Sequence, residues 1–154
     1  MNKISDFLPK GSELNKKTTY TSLEKGTVLR MFVDDTDPPK IKRFIVLGLH
    51  ENKIALGTLF INSDLNKNIN YSTELQSLQY ELKSQDNTFL THDSFVDCST
   101  IQQRENEDVL KKVNEDNSKI IGYLNPDTFE DIRKTVIKSE TIRGKHKKRF
   151  GLYD

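Results

Sequence analysis

The sequence predicts a mainly β protein: a small curled antiparallel barrel with a helix near its C-terminal end. Three observations carry that expectation. Short runs rich in β-branched and aromatic residues recur from residue 26 onward, separated by turn residues. Two of them, "IKRFIVLGLH" and "IALGTLFIN", are joined only by "ENK". A parallel crossover needs a dozen or more residues, so these two form an antiparallel hairpin. Finally, "NPDTFEDIRKTVIKS" has the grammar of one capped amphipathic helix.

Taken in order, residues 1–22 are polar and rich in Lys, Ser, Thr and Asn, with Ile4, Phe7 and Leu8 able to make one short amphipathic turn. The segment reads as an extension, residues 1–23, to a domain spanning residues 24–142. "GTVLRMFVD" is the first strand. "DDTDPPK" is a loop, because two successive prolines cannot sit in a central strand. Asp34, Asp35 and Asp37 lie close together there, but the loop lacks the Gly and terminal Glu of a calcium loop and reads as a solvated turn. The second strand follows, apolar on both faces in its middle. In "ENK", Asn52 is the residue expected to take a positive φ. The third strand ends at "INS", and "SDLNKNINYST" reads as a loop.

"SLQYELK" alternates Leu78, Tyr80 and Leu82 with polar residues, as a half-buried strand does, although Leu75, Leu78 and Leu82 also have helical spacing. "DSFVDCSTI" is a further strand, "NEDVLKKVNEDN" a short helix or ordered loop, and "KIIGYL" the last strand. In the final helix, from about Pro126 to Ser139, Asn125 is the N-cap, Pro126 suits the first turn and Asp127 faces the positive end of the dipole. Phe129, Ile132, Val136 and Ile137 form its apolar stripe.

Composition bounds the function. The 154 residues are 34% hydrophobic and 31% charged, enough for one domain with a real core. No apolar run reaches membrane-spanning length, and the first residues carry no signal-peptide pattern, so no membrane partner is expected. The single cysteine, Cys98, excludes an internal disulfide framework, fits a core position and suits a reducing cytoplasm. His50, His92 and His146 lie far apart without zinc-ligand spacing, so no metal and no cofactor is expected. A net charge of +1 is no general nucleic-acid signature. "RGKHKKR", however, concentrates basic residues in a C-terminal tail, residues 143–154, and leaves the remainder net negative. Such a tail either solubilises the terminus or tracks phosphates.

The order of "KGTVLRMFVD", "KIKRFIVLGL", "IALGTLFINS", "DSFVDCSTI" and "IGYLNPDTFEDIRKTVI" resembles the PemK/MazF-like toxins across residues 26–142. Those toxins open with a Gly and a strand. A charged loop and an Arg-Pro-headed strand follow, then a hairpin partner ending in a polar Ser/Thr pair, and later a turn into a helix. Here Phe44 stands where the family usually has Pro, and the insert between "INS" and "DSFVD" is longer than in compact members. The resemblance implies an SH3-like barrel over roughly residues 26–124. It also implies a cytoplasmic, metal-independent endoribonuclease that cuts single-stranded RNA through attack of the RNA's own 2′-hydroxyl. The implied partners are a cognate antitoxin and a second copy in a homodimer, for which exposed β-edges and the striped helix would also serve.

Under the same resemblance, Arg43 maps to the catalytic arginine, its forked guanidinium matched to phosphate oxygens. The bland alternative is an edge-strand arginine facing water. Ser63 maps to the family's Ser/Thr as a second catalytic donor, or is a simple turn residue. Asn62, Lys42, Tyr71 and His92 are the expected RNA-binding residues. Because imidazole as a side-chain type titrates near neutrality, His50 and His92 are general acid/base candidates, each otherwise a surface histidine. Tyr71, Tyr80 and Phe89 offer faces for base stacking, with core packing the stronger reading of Tyr80. Asp93 and Ser94 are read as shaping a turn. The competing reading of the whole chain is a non-catalytic SH3-like barrel that binds nucleic acid or protein.

Overall fold

The structure, a computed structural model, describes residues 17–65 and 72–153. Its described strands are β1 (Thr27–Val33), β2 (Lys40–Leu49), β3 (Ala55–Asn62), β4 (Gln79–Leu82), β5 (Ser94–Asp97), β6 (Gln102–Glu105) and β7 (Ile120–Tyr123). The helices are α1 (Thr73–Ser77), α2 (Asn106–Glu115), α3 (Pro126–Lys138) and α4 (Gly144–Arg149), with single 3-10 turns at Ser84–Asp86 and Asn117–Lys119. The chain is mainly β, and its strands make one curled antiparallel half-barrel in the order β4-β5-β3-β2-β1-β7. β3 carries two partners on its outer edge: Ala55–Thr58 pair with β6, and Ile61 and Asn62 pair with β5.

The apolar middle of β2 reflects a sheet covered on both faces. Ile45 and Leu47 join one cluster with Val28, Leu59, Ile61 and Val96, over which α3 lays Ile132 and Val136. Phe44 and Val46 point the other way, into a cluster with Leu29, Met31, Leu56 and Val109 and Val113 of α2. Strand residues alternate faces, so a run of four apolar residues serves two cores. Each large side chain so buried contributes roughly 1.5–3 kcal/mol. The stripe of α3 is therefore spent inside the subunit, with Phe129 and Ile137 packed at the cluster's margin. It is not an exposed surface inviting a second copy.

Several local expectations change. Lys53, not Asn52, takes the positive φ (63°) in the β2–β3 turn. Asn52 is held by its own side chain, whose Oδ1 accepts from Ile54 N at 2.9 Å, and the left-handed residue falls one later. The stretch around Leu78 is helix and strand in succession. Ser72 caps α1 by accepting from Leu75 N at 3.1 Å, and β4 follows at once. The loop expected up to Thr73 therefore ends at that cap. β6 is a strand made wholly of polar and charged residues, "QQRE".

The basic C-terminal segment is folded. α4 carries it back over the sheet, and Phe150 and Leu152 are 2% and 3% exposed. Phe150 sits over Gly48 and Gly57, which face each other across β2 and β3. A Cβ at Gly48 would stand 2.8 Å from the Phe150 carbonyl oxygen, and one at Gly57 2.9 Å from its ring. The two glycines are the slot into which the last aromatic fits. At the other end of the chain, Tyr20 exchanges backbone hydrogen bonds with the Asn114 side chain at 2.7 and 3.0 Å, and Tyr20 and Leu23 pack on the α2 cluster.

Candidate anion-binding groove

The first residues of β2 and the last of β3 extend past the core and line a groove of about 810 Å³. Its basic wall is Arg30, Lys40, Lys42 and Arg43; Asn62, Ser63 and Asp64 stand at the end of β3. The β1–β2 loop supplies Thr36, and the β4 and β5 ends supply Gln79, Asp97 and Ser99. Four of the six residues expected from the sequence, Arg43, Ser63, Asn62 and Lys42, are thus brought together. His92 is not among the lining residues; its ring bonds Thr91 Oγ1 at 3.0 Å in the loop before β5. Tyr71 lies outside the described residues.

Register explains what sits at the centre. β1 and β2 pair Arg30 directly with Arg43, one row beyond the buried Val28–Ile45 pair and its flanking Leu29–Phe44 pair. Opposed residues of an antiparallel pair share a face, so two guanidinium groups are held side by side, an arrangement that costs stability. Arg43 Nη2 donates to Ser94 Oγ at 3.3 Å, and Ser94 Oγ donates to the His92 carbonyl oxygen at 3.1 Å. Ser94 is thus more than a turn residue: fully buried, it orients the arginine. Arg30 makes no hydrogen bond or ion pair with another described residue. Burial first, and Arg30 second, pull the Arg43 pKa below the usual arginine value, which marks a cation short of counter-charge.

Lys42 occupies the opposite face of β2. Its Nζ donates to Asn62 Oδ1 at 2.6 Å and stands 4.8 Å from the Phe60 ring centre. Burial, then Lys40 and Arg43, depress its pKa as well. Phe60 and Phe44 also flank the Arg104 guanidinium at 5.2 and 5.0 Å. Arg104 pairs with Asp35 at 3.4 Å and ties the β1–β2 loop to β6. Asp35 thus serves an ion pair, and among the described residues no three His, Cys, Asp or Glu side chains converge as a metal site would need. Asp97 Oδ1 accepts from Gln79 Nε2 at 2.9 Å, from Ser99 N at 3.0 Å and from Ser99 Oγ at 2.5 Å. Asp64 accepts nothing from another described residue.

The remaining candidates are elsewhere. His50 lies at the far end of the hairpin, its ring 6.4 Å from that of Phe150. Tyr80 is partly buried against the α3 cluster and bonds Asp131 at 3.2 Å, and Phe89 packs on the same cluster over Gly122. Cys98 is fully buried, and burial pushes its thiol up to about 12, so it is inert core. Asp93 accepts from Ser84 N at 2.8 Å and shapes the β4–β5 connection.

Sequence reasoning passed over Arg30. It stands at an outward position of an alternating strand and looks like any solvated arginine. The available signal was the hairpin: reflecting Arg43 through the peptide bond between Thr36 and Asp37, within the "DDTDPPK" loop, lands on it. Among the described residues no helix is long and apolar enough to cross a membrane. Comparison of the chain with family models and with curated proteins finds no match to either.

Proposed function

We propose that the groove binds single-stranded RNA and cleaves it, and that the half-barrel is an SH3-like barrel of the PemK/MazF kind. One observation carries this reading: two arginines face each other at the centre of an open groove, and neither has a carboxylate partner among the described residues. Such a pair is unfavourable until an anion arrives, and a phosphodiester is the anion that a fork of guanidinium donors fits.

In the proposed reaction the 2′-oxygen bonds to the adjacent phosphorus while the bond from phosphorus to the 5′-oxygen breaks. The 2′-hydroxyl proton leaves to a base, and the departing 5′-oxygen takes a proton from solvent water. The products are a 2′,3′-cyclic phosphate and a 5′-hydroxyl end. Arg43 and Arg30 stabilise the extra charge at phosphorus, and Ser63 donates to a phosphate oxygen. Asp64, which accepts nothing from another described residue, is the carboxylate assigned to accept the proton. Lys42 and Asn62 hold the strand on the neighbouring face. No step calls for a metal ion. The reading also proposes a cognate antitoxin that covers the groove and a homodimeric assembly in the cytoplasm.

The test is a cleavage assay on single-stranded RNA with purified protein in EDTA. Cutting is expected to persist under chelation and to fall about 10²-fold or more in Arg43→Ala, the scale of one lost transition-state donor. Equal cleavage with and without Arg43, or cleavage abolished by EDTA, overturns it. A second reading, a non-catalytic nucleic-acid-binding barrel, is favoured by the lack of histidine among the groove's described lining residues. RNA binding without any cutting selects that reading.

A further inference from the structure

Beside the groove lies a second hollow of about 290 Å³, and the two share Arg30 and Ile41 as wall residues. Phe32 and Ile41 are the exposed part of its apolar lining, which Met31 and Ile121 complete. Phe32 and Ile41 are direct partners across β1 and β2, and each is 53% exposed. Single exposed apolar side chains are ordinary on protein surfaces. Two large ones facing each other inside a hollow, next to two arginines with no carboxylate partner among the described residues, are not. The opposite rim is polar: Asp116 accepts from Ser118 N and Oγ at 3.0 and 2.6 Å, and Lys119 stands 3.6 Å from its other oxygen.

Spacing links the two features. The Phe32–Ile41 pair sits two residues along the strands from the Arg30–Arg43 pair and on the same face. At the rise of an antiparallel strand this is about 7 Å, within one nucleotide's reach from phosphate to base. We infer that the hollow is a nucleobase subsite: it takes the flat face of a base on Phe32 and Ile41 while that nucleotide's phosphate lies on Arg30 and Arg43. The inference rests on the reading of the groove as an RNA site and adds to it the place where a base is held. An aromatic platform beside a cationic track is the combination that single-stranded nucleic acid uses. An apolar protein segment would match the platform but would bury the two guanidinium groups unless it also brought carboxylates.

The experiment compares a short single-stranded RNA with an abasic ribose-phosphate strand of the same length, both read by fluorescence anisotropy. Phe32→Ala is expected to weaken RNA binding about 10-fold and leave abasic binding unchanged. Phe32→Tyr keeps the ring and restores affinity. Arg43→Ala weakens both ligands. Phe32 is more than half exposed, so its truncation leaves the core intact. If the wild type binds RNA but Phe32→Ala weakens both ligands equally, or neither, the subsite is overturned and the RNA groove stands. If the wild type binds neither strand but binds an acidic, leucine-bearing peptide through Phe32, both readings are overturned and the face belongs to a protein partner.

Discussion

The two ends of the β2–β3 hairpin are made from the same pair of strands and differ in kind. At the turn end, Gly48 and Gly57 clear a slot and Phe150 fills it, with the His146 and His50 rings 5.5 and 6.4 Å away. At the open end, Lys40, Lys42 and Arg43 line one groove with Asn62, Ser63 and a second arginine, Arg30. One end removes side chains so that an aromatic can be buried. The other keeps charges together that repel. Burial at the closed end, and in the two cores between, offsets the cost of holding like charges in register. Under the proposed reading of the groove, stability and binding are separated along the length of one hairpin.

The largest way to break that separation is Phe150→Ala. Emptying the slot is expected to cost about 3–5 kcal/mol, read from urea unfolding, with RNA affinity per folded molecule unchanged. A loss below about 1 kcal/mol would mean the slot is not part of the core. Next in size, Arg30→Ala acts at the other end: RNA cleavage falls about 10²-fold, while the unfolding midpoint stays level or rises slightly because an opposed like charge is gone. A parallel fall in stability would contradict the division. Arg43→Lys is expected to rescue little of what Arg43→Ala loses, since a point charge does not replace a fork. Gly57→Ala then pushes a methyl into the Phe150 ring and costs about 1–3 kcal/mol, again without touching the groove.

The smallest effect sharpens the contrast through pH. His146 Nε2 is buried without a hydrogen-bond partner among the described residues, and burial first, then Arg149, hold the folded pKa of this histidine below its ordinary value of 6.5. The unfolded chain therefore takes up the proton more readily. The contribution of His146 is complete above about pH 6.5 and is lost as pH falls through the folded pKa. Melting temperatures from pH 7.5 down to 5 should decline, and His146→Gln should flatten the decline. If the slope is unchanged in that variant, another group sets it.

Legibility in the sequence followed what each segment owes to itself. β1, β2 and β3 carry their own β-branched and aromatic pattern, and α3 its own cap, where Asn125 Oδ1 accepts from Asp127 N at 2.8 Å. β6 could not be read, because "QQRE" has no apolar residue; it is a strand because the edge of β3 offers Ala55–Thr58 to be paired. α4 was hidden by its charge, which masks the two buried residues that follow it. In the groove, Arg43, Lys42, Asn62 and Ser63 were singled out by the family resemblance, and the tight β2–β3 hairpin is what brings those strand ends together. Arg30 and Ser94 were not, since their importance arises from register and from a side-chain contact across strands. His92 was singled out for its residue type, and residue type says nothing about where a loop leaves the ring.

The connectivity of β1 also governs how the molecule assembles. β1, β2 and β3 form a local meander, but the other edge of β1 waits for β7, and Tyr20 waits for Asn114, 94 residues away in sequence. Pairings of that separation are slow, and mainly β folds dominated by them fold over milliseconds to seconds. Until β7 arrives, β1 presents an unpaired edge beside the exposed Phe32, open to the same edge of another nascent chain. Yield on refolding should therefore fall steeply with protein concentration, and a chain weakened at β7 should aggregate before it loses its meander.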